Sequence, residues 1–331
     1  MKALIYTGPA TLEYREQPDP IPAAGEALVH VEAVGICGSD MHAYHGRDER
    51  RPAPLVLGHE AAGHVVSGPR AGRRVTIDPL VTCGRCAFCL DGRSHLCRGR
   101  QIISMPPRAG AFAEFVPIPE TNLVELPDNL PVQQAALAEP MAVGWHALRV
   151  ASGALSRPLA AARCVVLGGG AVGLACALAM RHFGAKEILI AEPNELRRKA
   201  IATDASFRPF APGDATEPPE WTVDLVIDAV GSNSTRTAAS RLIKPGGVIV
   251  HIGLLSAGDG LDIRKITLQE VAFLGSYCYT HLDFIETVAA MAAGHLGSLD
   301  WLEERPLSEG HQAFRELDEG KVAAAKVILR P

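Results

Sequence analysis

The sequence predicts an α/β-plus-β protein: a β-rich part over residues 1–140, then a doubly wound parallel sheet. Three observations carry this. Glycine and proline cut the first part into short β-type runs, at 27–34, 61–67, 74–77 and 111–117. From about residue 141, near-continuous apolar runs alternate with helical stretches, the pattern of a parallel sheet covered on both faces. The length of 331 residues is about twice that of a typical domain, which favours two domains over one.

The elements of the second part follow in order. Arg163–Leu167 is a buried-strand run, followed by a glycine turn and an apolar helix ending near Phe183. Strands are expected at 187–191, 223–229, 247–252 and 271–277, with helices at 195–203 and 233–243. The tail holds helices near 282–293 and 309–319 and a last strand at 325–329. The stretch 207–221, rich in proline and acidic residues, reads as a surface loop.

Composition limits the function. Hydrophobic residues make up 47% and charged residues 21%, close to globular averages, so the chain buries a core; disorder and coiled coil are excluded. A net charge of −5 disfavours nucleic acid and anionic membranes as partners. The start, MKALIYTGPATLEY, lacks the apolar core of a secretory peptide. The most apolar stretch, 164–180, carries four glycines and is too short to span a bilayer. A cytoplasmic protein is expected. Of the eight cysteines, four fall between 83 and 97, a clustering that in such a chain points to metal rather than disulfides.

Gly168, Gly170 and Gly173 form G-x-G-x-x-G. The pattern gains meaning because a strand precedes it and a helix follows it. Gly168 permits the tight turn, Gly170 lets the backbone approach a pyrophosphate at the helix N-terminus, and Gly173 allows close packing of helix on strand. Glu192 ends the next strand, where an acid accepts hydrogen bonds from the ribose hydroxyls and repels a 2′-phosphate. NAD is therefore expected over NADP, with Arg197 and Arg198 as counter-evidence.

Cys83-x2-Cys86-x2-Cys89-x7-Cys97 suits a closed tetrahedral zinc site of structural role. A bacterial iron–sulfur motif opens alike but continues x3-Cys-Pro, whereas this one continues x7-Cys-Arg. A second set is dispersed: GICGSDMH with Cys37, GHE with His59 and Glu60, and AEP with Glu139. Cysteine, histidine and carboxylate are all zinc donors, and three of them leave a position open. His59 and Glu60 are adjacent, so an extended segment points them to opposite faces, and joint ligation needs a turn or a strand end. Taken singly, each of these residues has an ordinary structural reading, as buried cysteine or capping acid. Ten of the 12 histidines have no inferable role, among them His45, His146 and His251.

GICGSDMH, LGHE, the four-cysteine loop, AEP and the glycine turn occur in this order. The sequence resembles the zinc-containing medium-chain alcohol dehydrogenases along essentially its whole length. GICGSD and ALAEPMAVGWHAL make it most similar to the sorbitol, polyol and sugar-acid branch. The resemblance implies a GroES-like catalytic domain over 1–140, a Rossmann domain over 141–276, and a return segment, 277–331, completing the first. It implies two zinc ions per chain. Cys37, His59 and Glu60 would bind the catalytic one, with Glu139 as an additional or alternating ligand, and the four clustered cysteines the structural one. Ser39 and His42 match the family's proton relay, and Asp40 a partner of the zinc histidine. Val172, Glu192 and Arg197 match positions that contact NAD. The implied reaction passes hydride from a secondary alcohol (a polyol, sugar or sugar acid) to NAD, with the proton leaving through the Ser39 hydroxyl and a ribose hydroxyl to His42.

Three positions depart from the family. The segment after Glu60 is short, with Arg73 in place of an aspartate, which implies a trimmed hairpin. Cys278 falls near where sorbitol-type enzymes place an arginine beside the substrate. Glu192 replaces a more frequent aspartate. Threonine or a simple alcohol is the alternative substrate. A zinc- and nucleotide-binding protein without turnover is the alternative outside enzymes, disfavoured because a binding module needs no relay. The apolar run 271–277 reads as a sheet edge that pairs in a homodimer, alone or within a tetramer. Cys164, Cys176 and Cys278 are expected as small core residues.

Overall fold

The computed structural model describes residues 1–331, which divide into two compact units. The first joins Met1–Glu139 to Thr280–Pro331; the second is Pro140–Tyr279.

In the first unit a seven-stranded sheet is built around one long strand, Glu26–Gly35. Its inward residues Val29 and Val31 alternate with half-buried His30 and Glu32, the period-two pattern of a strand with one face in a core. Each fully buried valine contributes about 1.5–3 kcal/mol by leaving water. This strand pairs antiparallel with Glu60–Ser67, Phe115–Pro119 and Lys326–Arg330. Glu60–Ser67 turns through residues 68–73 into Arg74–Ile77. The core beneath contains Leu57, Ile77, Phe112 and Phe314. The register matters for function, because Gly35 lies opposite Glu60 on one side and Ile328 on the other. Residues that follow Gly35, begin the Glu60 strand or begin the C-terminal strand are thereby brought to one end of the sheet.

The second unit is a six-stranded, all-parallel sheet. Its spatial order is Arg208–Phe210, Glu187–Ala191, Arg163–Leu167, Val223–Asp228, Ile243–His251, Ala272–Gly275. Numbered by occurrence that is 3-2-1-4-5-6, the order of a dinucleotide-binding doubly wound sheet. Val165, Leu189, Val226 and Ile249 are buried in its core. Ala171–His182 follows the first strand as the apolar helix expected there.

Two expectations need correction. The stretch 207–221 is not loop throughout: Arg208–Phe210 is the outer strand, with Phe210 buried. Its proline is tolerated because an edge strand needs fewer ladder donors. Cys164 and Cys176 are buried core residues whose thiols burial pushes up to about 12, hence inert. Cys278 is only half-buried and sits at a backbone φ of 48°, so it is a turn residue rather than a core one. No helix is long and apolar enough to cross a membrane.

Candidate functional site

Cys37 stands two residues beyond the central strand and immediately precedes the helix Gly38–Tyr44. Asp40 in that helix turns back, its Oδ2 accepting from the Cys37 N–H at 3.0 Å. His59 and Glu60 meet the need for a strand end: Gly58 takes a left-handed φ of 90°, and the strand starts only at Glu60. Cys37, His59 and Glu60 each bring one donor atom within 4.8 Å of the others. Glu60 is fully buried and lies over Gly35, where a Cβ would fall 2.1 Å from its Oε2. A side chain there would push the Glu60 carboxylate aside.

The surroundings are acidic. Asp40 is fully buried, with Oδ1 3.6 Å from His59 Nδ1, which fixes the ring and leaves its other nitrogen for a ligand. Ser104 Oγ lies 3.5 Å from the same Nδ1. Burial alone would lower the His59 pKa, but the charges of Asp40 and Cys37 overcome it and raise the ring well above 6.5. The site thus draws positive charge to itself. Glu139, at the head of the helix Ala138–Ser152, is not in the three-residue group, but the charges of His59 and Glu60 act on it. Burial pushes its carboxyl up to about 7. A thiol, an imidazole and carboxylates gathered out of water form a donor set that a zinc ion would complete.

Two buried cations at this site carry no local mark in the sequence. Lys326 begins the C-terminal strand, 2% exposed, with Nζ 2.6 Å from the Glu60 carboxylate and 2.9 Å from the Ile36 carbonyl. Burial would lower its pKa, yet Glu60 and Cys37 hold it raised. Arg51, 3% exposed, donates to the Ser104 carbonyl and, at 3.4 Å, to Ser39 Oγ. Ser39 and His42 stand three residues apart in the short helix, on one face. Burial, more than any neighbouring charge, lowers the His42 pKa below that of a free imidazole, which favours the neutral, proton-accepting form of the ring.

Lys326→Met should therefore destabilise the protein unevenly. Without metal, a buried Glu60 loses its only cation contact, at a cost of about 3–5 kcal/mol. A bound cation replaces that contact. Melting in chelator should show a large drop relative to wild type and melting with zinc a small one; equal drops would contradict the pairing.

Cys83, Cys86, Cys89 and Cys97 also bring their donor atoms within 4.8 Å. Their sulfurs approach at 3.5 Å (Cys86–Cys89 and Cys83–Cys97) and 3.9 Å (Cys83–Cys89). A zinc tetrahedron with Zn–S near 2.3 Å has edges of about 3.8 Å. A disulfide needs about 2.05 Å, and all eight cysteines are free. The backbone N–H groups of Arg85 and Cys86 pull the Cys83 thiol down to about 6.

In the second unit Gly168 takes φ 101°, the left-handed turn that only glycine makes without strain. A Cβ on Gly173 would fall 1.8 Å from the Gly168 carbonyl. A Cβ on Gly170, which precedes the helix, would meet nothing within 4 Å, so there is open space where an anion would approach the helix N–H groups. Val172 sits in the first turn of that helix. Glu192 is 4% exposed, and both its oxygens accept backbone N–H groups, from Gly169 and Asn194, each at 2.8 Å. It therefore ties the glycine turn to the end of the neighbouring strand, a role the sequence did not reveal. Arg198 is spent on the carbonyls of Glu192 and Pro193, whereas Arg197 Nε is buried without a hydrogen-bond partner.

Comparison with known proteins agrees with this arrangement. Residues 23–128 match the model of the alcohol dehydrogenase GroES-like domain, and 171–293 that of zinc-binding dehydrogenases. The 2-dehydro-3-deoxy-L-galactonate 5-dehydrogenase of Pseudoalteromonas atlantica is 31% identical, the match covering 96% of this chain and 95% of that protein. D-xylulose reductase A of Aspergillus oryzae is 29% identical over 96% and 94%. Among solved structures, L-idonate 5-dehydrogenase of Escherichia coli K-12 superposes with a TM-score of 0.87 at 25% identity, covering 100% of this chain and 98% of that one.

Proposed function

The chain belongs to the zinc-binding medium-chain alcohol dehydrogenase family, and from that premise we propose that it oxidises a secondary alcohol of the polyol, sugar or sugar-acid class to the ketone, with NAD as hydride acceptor. The observation that carries this reading is the convergence of Cys37, His59 and Glu60 in a buried acidic site, in a chain whose other unit carries a dinucleotide turn. The relatives named above act on sugar acids and a keto-sugar, and the substrate class is taken from them.

Bound zinc supplies acidification of the substrate hydroxyl, and NAD supplies the hydride acceptor. The remaining work falls to the chain. Cys37, His59 and Glu60 would hold the catalytic metal, with Glu139 as an additional or alternating ligand. Asp40 holds the His59 ring in place. Lys326 holds the Glu60 carboxylate in place, with Nζ 2.6 Å from it. The Ser39 hydroxyl takes the substrate proton and passes it toward the neutral His42 ring, which releases it to water. Alcohol and NAD thus give ketone, NADH and a proton. The four clustered cysteines hold a second, structural zinc. The chain works as a homodimer or homotetramer, joined along the Ala272–Gly275 edge, where Phe273 is partly exposed.

Glu192 sets the cofactor preference through its charge beside the ribose site. Glu192→Gln keeps the shape and removes the charge. The ratio of NAD to NADP turnover, each as kcat/KM, should fall at least about tenfold, near 1.4 kcal/mol. Any distortion of the turn affects both cofactors and cancels in the ratio, so an unchanged ratio would contradict the role.

NADH absorbance over a panel of polyols, aldonates, threonine and simple secondary alcohols tests the function. The highest kcat/KM is expected on a polyol or sugar acid. Turnover of threonine or a simple alcohol alone would move the substrate class, and no NADH from any would remove the enzymatic reading.

A further inference from the structure

We propose that His30, Glu32 and His64 form a third metal site, for a late first-row divalent cation such as zinc, apart from both cysteine-containing sites. These histidines are among the ten to which the sequence assigns no role. One donor atom from each of the three residues lies within 4.8 Å of the others.

The strand pairing builds the cluster. His30 of Glu26–Gly35 lies directly opposite His64 of Glu60–Ser67. Their rings stand 4.8 Å apart between centroids, tilted by 35°. The register slips between Val31 and Ala33, so that Glu32 is the extra residue of a bulge. A bulge re-aims a side chain, and Glu32 Oε1 lies 2.8 Å from His64 Nδ1. Gly63 makes the bulge possible, since a Cβ there would fall 1.9 Å from the His30 carbonyl. All three side chains belong to the half-buried face, opposite core residues Val29 and Val31.

Two features favour a ligand over an ordinary surface pair. His30 Nδ1 is buried and has no hydrogen-bond partner, which leaves a donor position unspent. Two imidazoles and one carboxylate form a donor set suited to zinc, nickel or copper, with at least one position left for water. Donors about 2.0–2.2 Å from a shared ion stand roughly 3.4 Å apart, so small side-chain rotations close the site.

The position gives the site a consequence. The strands it would clamp are those whose far ends deliver Cys37 and Glu60, since Gly35 pairs with Glu60 in the same ladder. A cation on His30, Glu32 and His64 would fix that register and stabilise the folded state by mass action, without entering the reaction.

The test titrates Zn2+ by calorimetry into full-length protein that has kept whatever metal resists dialysis. Wild type should take up one further equivalent per chain and melt at a higher temperature when it does. His64→Ala and His30→Ala should each lose that equivalent and the thermal gain, and Glu32→Gln should weaken uptake at least about tenfold. The dialysis-resistant metal and the rate of NADH formation should be unchanged in all three, which shows that they fold. No further equivalent in wild type would overturn the proposal, as would an equivalent that survives in both histidine variants. Neither result bears on the alcohol reaction, whose own failure would show instead as absent NADH formation.

Discussion

Cys37→Ala should lower the rate of NAD reduction at saturating alcohol at least about a thousandfold, roughly 4 kcal/mol of barrier. The reason is the donor count. Cys37 is the sulfur donor of the three-residue group, and without it His59 and Glu60 would face a cation with no soft ligand. Dialysis-resistant metal should fall from two per chain to one. The fold should survive, because Cys37 is only half-buried and its backbone keeps the Asp40 contact. The ion pair of His59 with Asp40 and that of Lys326 with Glu60 also remain to satisfy the buried charges. Retained activity would refute the assignment of this cluster to the reaction.

Cys97→Ala should act on stability instead. The segment 83–97 contains only a four-residue helix, Ala87–Leu90, and a single 3-10 turn, Ser94–Leu96, with Leu90 74% exposed. Ala87 and Leu96 are exposed as well, so little apolar burial orders it. Structural zinc supplies such segments with about 10–16 kcal/mol of binding free energy in isolated peptides. Cys97 is the fully buried member of the four, its sulfur 3.5 Å from that of Cys83. Its loss should release one zinc per chain and open the segment locally. Trypsin should then cut at the exposed Arg85, Arg93, Arg98 or Arg100 at least tenfold faster than in wild type. The uncut protein should still reduce NAD, because Cys37, His59 and Glu60 are untouched. The two cysteine variants therefore separate the two sites: one loses chemistry and keeps the segment closed, the other does the reverse. An uncut segment in Cys97→Ala would contradict the structural role.

What the sequence revealed was local. The parallel strands of the second unit read as apolar runs because both of their faces are buried, and Glu187–Ala191 needed no adjustment. The glycine turn and the four-cysteine loop each carry their chemistry within a few residues. Sites that depend on pairing across the sheet were harder to see. Lys326 meets Glu60 from 266 residues away, and nothing near Lys326 marks it as buried. Nothing in the local sequence marks Arg51 either, yet it is sealed beside Ser39. His30 and His64 face one another only because of a register that no single strand encodes. The outer strand Arg208–Phe210 was hidden by its own proline, which marks a breaker in a central strand and is harmless at an edge. Glu192 was placed correctly at a strand end, but its grip on the Gly169 N–H depends on how the turn folds back.

The central claim is that hydride transfer to NAD depends on a metal held by Cys37, His59 and Glu60. The most direct measurement follows NADH formation from a polyol or sugar acid by protein dialysed to its two tightly held zinc equivalents, then after stepwise chelation, then after one equivalent of zinc is restored. The account predicts that activity vanishes with the loss of one zinc equivalent per chain and returns with it, while the second equivalent stays bound. Undiminished NADH formation by metal-free protein would contradict it.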